Sequence, residues 1–259
     1  MQLKYDAVTI TIDESVAVVT FSRPPENFFD IALITSLAKA LEAIDQEDSL
    51  RSVVLRSEGR VFCAGANFSG NPEIEDDYGA YLNGLYDNAA RLFRTSKPIV
   101  VAVQGAAIGG GLGLSMIGDF RVAAEQARFS ANFVKLGFHP GFGLTYLLPK
   151  LIGFQNATRL LYTGSRLTGE QAHAIGLVDE VVPLEELDAA SLALAKQLAE
   201  VSPLGLETTR ATMREGIAQA VLAQTKHERA VQLALSTTED FKEGVRAVSE
   251  RRPGNWLKR

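Results

Sequence analysis

The stretch IVVAVQGAAIGGGLG, residues 99–113, decides how this chain folds. Its first five residues are an unbroken apolar run, the pattern of a strand buried on both faces of a parallel sheet. Pro98 stands just ahead, where a missing N–H costs the ladder least. The following segment, Gly105 to Gly113, is mostly glycine and alanine, too small to shield the backbone, and it passes from loop into helix. Glycines at a helix start let main-chain N–H groups face a ligand closely, and the helix dipole adds a preference for negative charge. A turn of similar make, Arg60-Val61-Phe62-Cys63-Ala64-Gly65-Ala66-Asn67, follows a second apolar run, SVVLRS at 52–57. Side by side at the ends of neighbouring strands, two such turns form an oxyanion hole, worth roughly 3–4 kcal/mol of transition-state stabilisation per donor. Each turn alone also fits a plainer role, the close packing of helix on strand.

Other glycine-rich motifs fail on spacing. From Gly111 the chain reads GLGLSM, not the G-x-G-x-x-G of a dinucleotide fold. Around Ser115 it lacks the last glycine of a nucleophile elbow. No P-loop is present.

Outward from these turns the chain alternates strands and helices. VTITID (8–13) and VAVVTF (16–21), joined by Glu14-Ser15, read as a hairpin. Asp30 can cap the helix marked by Ile31, Ile34, Leu37, Leu41 and Ile44. Residues 66–78 are polar and read as a loop, and a helix is expected over 79–95. FRVAAE returns as a strand, Thr168 with Gln171 makes a capping box, and GLVDEVVP ends on a brief strand. After Pro183 the periodicity is helical, with breaks at Ser202-Pro203 and near Ser236. The expectation is an α/β fold with a parallel sheet over 1–195 and a helical region over 196–259. Such a helical tail needs a surface to cover, its own core or a neighbouring subunit, and self-association is expected.

The composition, 46% hydrophobic and 22% charged over 259 residues, is that of an ordinary globular chain. A formal net charge of −5 argues against nucleic acid as a partner. Arg251, Arg252, Lys258 and Arg259 form a basic tail, either a solvated end or a contact for a ligand's phosphates. The one cysteine, Cys63, excludes an internal disulfide framework. No apolar run is long enough for a membrane span, and the first residues lack the core of a signal peptide, so a cytoplasmic protein is expected. His139, His173 and His227 lack metal-ligand spacing, and no metal is expected.

The pair FCAGAN and AVQGAAIGGGLGLSMIGDFRVAAEQARF closely resembles the crotonase (enoyl-CoA hydratase/isomerase) superfamily. The likeness continues through LTGEQAHAIGLVDEVVP to the tail DFKEGVRAVSERRPGNW. It implies a spiral of ββα units with a helical C-terminal oligomerisation region, assembled as a homotrimer or a dimer of trimers. It implies an acyl-CoA substrate, with coenzyme A entering as part of that substrate and no separate cofactor. The carbonyl oxygen would be held by the N–H groups of Ala66 and Gly110. Positions lining the ligand would be Arg23 and Pro25 near the CoA moiety, Ala64, Asn67 and Phe68 beside the first donor, and Ile108 and Gly109 beside the second.

The chain departs from this pattern where the chemistry is done. The two glutamates that the family's hydratases use as acid and base fall on Gly113 and Phe133, and neither transfers a proton. Asn67 replaces a common aspartate. Ordinary hydration is thereby put in doubt, leaving isomerisation, decarboxylation or C–C and thioester hydrolysis open, with a catalytically inactive acyl-CoA-binding protein as the alternative. His139, in a Gly/Pro loop just beyond Phe133, is the candidate acid or base; otherwise it ties down its loop. Tyr81 and Tyr86, spaced along a helix, are either core aromatics or phenols of the pocket. Tyr78 and the aspartates Asp76 and Asp77 lie beside them in the polar segment. Cys63 reads as packing.

Overall fold

The alternating run at 8–21 folds as a hairpin because Glu14 takes a left-handed conformation (φ 55°), which a two-residue turn of matching twist requires. A computed structural model describes residues 2–67 and 72–259 of the chain, with backbone only for 72–76. In it β1 (Lys4–Tyr5), β2 (Val8–Asp13) and β3 (Val16–Phe21) form an antiparallel edge. After α1 (Ile31–Asp45), β4 (Ser52–Ser57) pairs parallel with β3, Val16 opposite Ser52. Asp30 starts α1 as expected, its carboxylate accepting from Leu33 N at 2.8 Å.

The helix predicted over 79–95 is α2 (Pro72–Leu92), which begins inside the segment read as loop. Its helical course breaks at Asp77 (φ −150°, ψ 88°), whose carboxylate accepts from Ala80 N at 2.9 Å. The part after Asp77 is therefore capped like a new helix, which is why periodicity alone placed the start there. At the far end the chain leaves the helix before residue 95. Asp45 accepts from Ser96 N at 3.1 Å, and Lys97 Nζ is drawn to Glu47 O at 2.7 Å.

Next come β5 (Ile99–Val103), β6 (Ala106–Ile108), α3 (Gly110–Ser115), β7 (Phe120–Ala124) and β8 (Arg128–Ser130). The segment after β5, read as loop passing to helix, thus contains a strand. Ala106–Ile108 pairs with Arg128–Ser130, which in turn pairs with β9 (Arg166–Thr168), giving a small second sheet. Between them runs α4 (Leu144–Thr163). Then follow α5 (Gly169–Ala174), started by the Thr168/Gln171 capping box, and β10 (Glu180–Val182). The main sheet has the order β1-β2-β3-β4-β5-β7-β10, with every pairing from β3 onward parallel.

Alternation along β5 sends Ile99, Val101 and Val103 to the large core and Val100 and Ala102 to the opposite face. That opposite face is covered by α6 (Leu187–Glu200), through Leu187, Ala195 and Ala199. The chain ends in α7 (Pro203–Met213), α8 (Ile217–Ser236) and α9 (Glu239–Ser249), so the α/β core and helical C-terminal region expected from sequence both form. Helix α8 packs on α2 and α4, and α9 on the short 3₁₀ turn Asn132–Leu136. Among the described residues no helix is long and apolar enough to cross a membrane.

Asp119 pins α7 to the sheet. Its carboxylate accepts from Ile99 N at 2.8 Å, Arg210 Nε at 2.9 Å and Arg214 Nη1 at 3.0 Å. Arg210 and Arg214 are largely buried. Removing their counter-charge leaves buried cations uncompensated. Asp119→Asn is expected to lower unfolding stability by about 3 kcal/mol in urea titration, the low end for breaking a buried pair; a loss under about 1 kcal/mol would mean that the arginines find other partners.

Candidate active site

The two small-residue turns lie against each other. Cys63 and Ala107 form a parallel bridge, with Cys63 N donating to Ala106 O and Ile108 N to Cys63 O, each at 3.0 Å. Side-chain amides fix the first turn: Asn27 Nδ2 donates to Glu58 O and Val61 O at 2.7 Å, and Gln104 Nε2 to Ser57 O and Gly59 O at 3.1 Å. The approach leaves no room for a Cβ. One added at Gly111 would overlap Cys63 O, and one at Gly65, which is left-handed (φ 86°), would lie 2.9 Å from Ile108 O and 3.4 Å from Gly110 N. The neighbouring N–H groups are engaged, Gly109 by Ser130 O at 2.8 Å and Ala64 by Glu26 O at 3.0 Å. Among the described residues the N–H groups of Ala66 and Gly110 have no such acceptor. Gly110 is the first residue of α3, where a helical N–H lacks an intrahelical partner.

Both Ala66 and Gly110 line one cavity of about 280 Å³. Phe29 and Phe133 flank the turns, while Tyr78, Tyr81 and Tyr86 enter from α2. Gln232 of α8 and Val245, Val248 and Ser249 of α9 close the remaining side, so the C-terminal helices build part of the site. Of the phenols, Tyr86 Oη donates to Gln232 Oε1 at 2.8 Å, and Gln232 Nε2 donates to His139 O at 2.9 Å. Burial raises the pKa of both Tyr78 and Tyr86 well above the ordinary phenol range. They face the cavity as neutral groups. Among the described lining residues there is no carboxylate.

Of the residues singled out from sequence, Ala64, Ala66, Asn67, Gly109, Gly110 and Phe133 all line this cavity. Phe68 lies outside the described residues, as does the Asp76 side chain. Four positions lie outside this cavity. Ile108 lines an adjoining groove with Lys135, Arg166 and Arg252, which shares Asn132 and Val248 with the cavity. Arg23, expected with Pro25 near the CoA moiety, is held by Asp30 and, at 2.9 Å, by Asp6, and Pro25 is exposed beside it; neither lines this cavity. His139 is half-buried but does not line the cavity either. Its Nδ1 lies 2.7 Å from Pro140 O and its ring stands edge-on to His227 at 6.2 Å. Burial lowers its pKa, with a smaller push from His227, so the ring is neutral at pH 7. Its other reading, a residue of the loop itself, is the one these contacts fit. Cys63 is fully buried and its thiol is pushed up to about 12, an inert packing group.

Gly113 is sealed. A Cβ there would meet Phe142 Cβ at 2.5 Å and Cγ at 2.6 Å. Phe142 is itself fully buried and left-handed (φ 61°), a conformation unusual for a bulky residue. The turn is fastened by a group that sequence reading passed over, Glu228 of α8. Its carboxylate accepts from Gly143 N at 2.8 Å and from Thr145 Oγ1 at 2.5 Å, capping α4. One glutamate in an amphipathic helix carries no motif, so only tertiary structure reveals it. Burial raises its pKa to about 7, against the lowering effect of those hydrogen bonds.

The chain matches the enoyl-CoA hydratase/isomerase family model over residues 11–259. It is 34% identical to the 2,3-dehydroadipyl-CoA hydratase of Escherichia coli (strain K12), covering 94% of this chain and 95% of that one. It is 31% identical to the 1,2-epoxyphenylacetyl-CoA isomerase of the same organism, covering 93% and 94%. A solved enoyl-CoA hydratase/isomerase from Pseudoalteromonas atlantica T6c superposes with a TM-score of 0.87 at 30% identity, covering 97% of this chain and 100% of that one. The chain belongs to the enoyl-CoA hydratase/isomerase family, the crotonase superfamily. It is an enzyme of the lyase and isomerase class that acts on acyl-CoA thioesters.

Two outcomes follow from the packing around Phe142. Gly113→Glu is expected to destabilise the fold by roughly 1–3 kcal/mol through overpacking and to bring no crotonyl-CoA hydration; a stable variant that hydrates would show that the ring yields. For Glu228 the raised pKa means that the folded chain holds a proton that the unfolded chain has already lost. Stability from this group is complete below the ordinary carboxylate range and is lost as pH rises toward about 7. Urea midpoints of wild type should therefore fall relative to Glu228→Gln between pH 5 and 8, and a constant difference would contradict the raised pKa.

Proposed function

We propose that this enzyme forms a thioester enolate without a carboxylate base, its oxyanion held by the N–H groups of Ala66 and Gly110. The observation that carries this reading is the pairing of two unengaged amides with a cavity that, among its described residues, offers only neutral groups. Hydration and double-bond migration both need a group that takes a proton from water or carbon. Phenols held neutral by burial serve poorly as bases, and general acid–base help is typically worth 10²–10⁴-fold. Loss of carbon dioxide from a 2-carboxyacyl thioester needs no base. The C–C bond breaks, its electron pair passes into the thioester as an enolate, and a proton from solvent or a phenol is added at the α carbon. The two amides supply the electrostatic stabilisation. Coenzyme A enters as part of the substrate.

A second reading, an acyl-CoA-binding protein without turnover, is favoured by the sealing of Gly113. Self-association as a trimer or dimer of trimers belongs with either reading. Phe154 and Tyr162, 73% and 76% exposed on α4, support it.

A panel of malonyl-type, 3-enoyl and crotonyl thioesters separates these readings. The expected result is carbon dioxide release from malonyl-type esters, with solvent deuterium at the α carbon and little crotonyl-CoA hydration. Hydration as the main activity would overturn the base-free mechanism, and binding of esters with no product would favour the inactive protein. The amide's part is isolated by comparing Gly110→Pro with Gly110→Ala. Each adds a Cβ that crowds Phe29, and Pro is tolerated at a first helical position, but only Pro lacks the N–H. The Pro variant is expected to be slower than the Ala variant by roughly 10²–10³-fold in kcat; equal rates would remove Gly110 from the oxyanion site.

A further inference from the structure

Tyr78 carries a buried oxygen that has no hydrogen-bond partner among the described residues. Its ring lies 6.4 Å from Tyr81 at 16° and 6.3 Å from Phe138, which in turn packs on Phe241 at 4.8 Å. That packing is aromatic throughout, and a phenylalanine would satisfy it equally. The phenol oxygen is nonetheless buried and hydrogen-bonds to nothing among the described residues, while its residue lines the acyl cavity. Tyr86, close by on the same helix, is different: its hydroxyl is matched by Gln232, whose own amide is committed to His139 O. Gln232 makes no hydrogen bond to Tyr78. A buried O–H left without an acceptor costs roughly 1–3 kcal/mol, and an acceptor brought by whatever fills the cavity would remove that cost.

We propose that Tyr78 reads the substrate: it donates a hydrogen bond to an oxygen on the acyl group beyond the thioester, so the enzyme prefers oxygen-bearing acyl chains over plain hydrocarbon ones. The acceptor chemistry is a carbonyl, hydroxyl or carboxylate oxygen in an otherwise largely apolar and aromatic pocket. Burial keeps the phenol protonated across the physiological range, and the donor is therefore always available. The inference rests on the reading that the cavity takes an acyl-CoA. It does not depend on which reaction follows.

The test is calorimetric binding of matched acyl-CoA pairs, hexanoyl-CoA against 3-, 4- and 5-oxohexanoyl-CoA and adipyl-CoA, to wild type and Tyr78→Phe. Wild type should bind at least one oxygenated ester about 5–10-fold tighter than hexanoyl-CoA, the size of one net hydrogen bond. Tyr78→Phe should lose that preference while holding hexanoyl-CoA as well or better, and its ligand-free melting temperature should stay level or rise. Equal preferences in the two proteins, or tighter hexanoyl-CoA binding by wild type throughout, would overturn the proposal and leave a phenol satisfied by solvent. A melting temperature that falls in the variant would likewise assign the hydroxyl to structure. Failure of every ester to bind either protein would instead sink the acyl-CoA reading of the cavity, and this inference with it.

Discussion

The close approach of two bare backbones governs this molecule. Where 60–66 runs beside 105–111, Gly105 faces Arg60 O and Gly111 faces Cys63 O with no space for a Cβ. The same contact sets the fold and the site. It bridges Cys63 to Ala107, joining the end of β4's connection to β6 of the small sheet, and that junction fixes where α3 begins. Because the seam engages Cys63 and Ile108, and the flanking Ser130 engages Gly109, the first helical N–H left over is that of Gly110. On the facing turn Phe29 N bonds to Gly65 O at 3.0 Å, which fixes that planar peptide and turns its N–H, on Ala66, away from Phe29 N. A Cβ at Gly105 or Gly111 would push the two segments apart and displace both amides.

The groups around the cavity share one electrostatic character. Burial raises Tyr78, Tyr86, Glu228 and Cys63, and it lowers His139, so each is moved toward its neutral form. Such a place penalises any charge that lacks a dedicated partner. Negative charge arising on a substrate is therefore best accommodated where fixed dipoles already point, at the two amides and the start of α3. This is preorganisation supplied by main chain, and it costs no rearrangement when charge develops.

Much of this was legible in the sequence, for identifiable reasons. The hairpin at 8–21, the buried run of β5, the Asp30 cap and the Thr168/Gln171 box are local devices whose residues act within a few positions of themselves. The two turns were legible because glycines and alanines recur in the same way after two apolar runs. Strand β6 was not, since three residues become a strand only by pairing with Arg128–Ser130, which nothing local announces. Helix α2 was misplaced because its kink at Asp77 imitates a start. His139 was drawn toward the chemistry by its neighbours Phe138 and Gly141, both of which do line the cavity, but the backbone turns its ring away between them. Gln232, Val248 and Ser249 reach the site from more than a hundred residues downstream, and helical periodicity marks them only as one face of a helix.

Similarity alone does not select the reaction, because the identities to a hydratase and to an isomerase, 34% and 31%, are too close to separate them. The packing around Gly113 bears on the proposed reaction. Glycine at 113 is not an empty position awaiting a carboxylate, because the Phe142 ring fills it, held by a left-handed turn that Glu228 fastens from α8. Phe133 closes the second position with another ring, itself part of the cavity wall. Moving Phe142 aside would break the Glu228 contacts and expose a buried carboxyl, so the exchange of acid for aromatic is built into the packing of α3, α4 and α8. That packing leaves main-chain amides and the phenols of α2 as the polar groups on which the proposed chemistry rests.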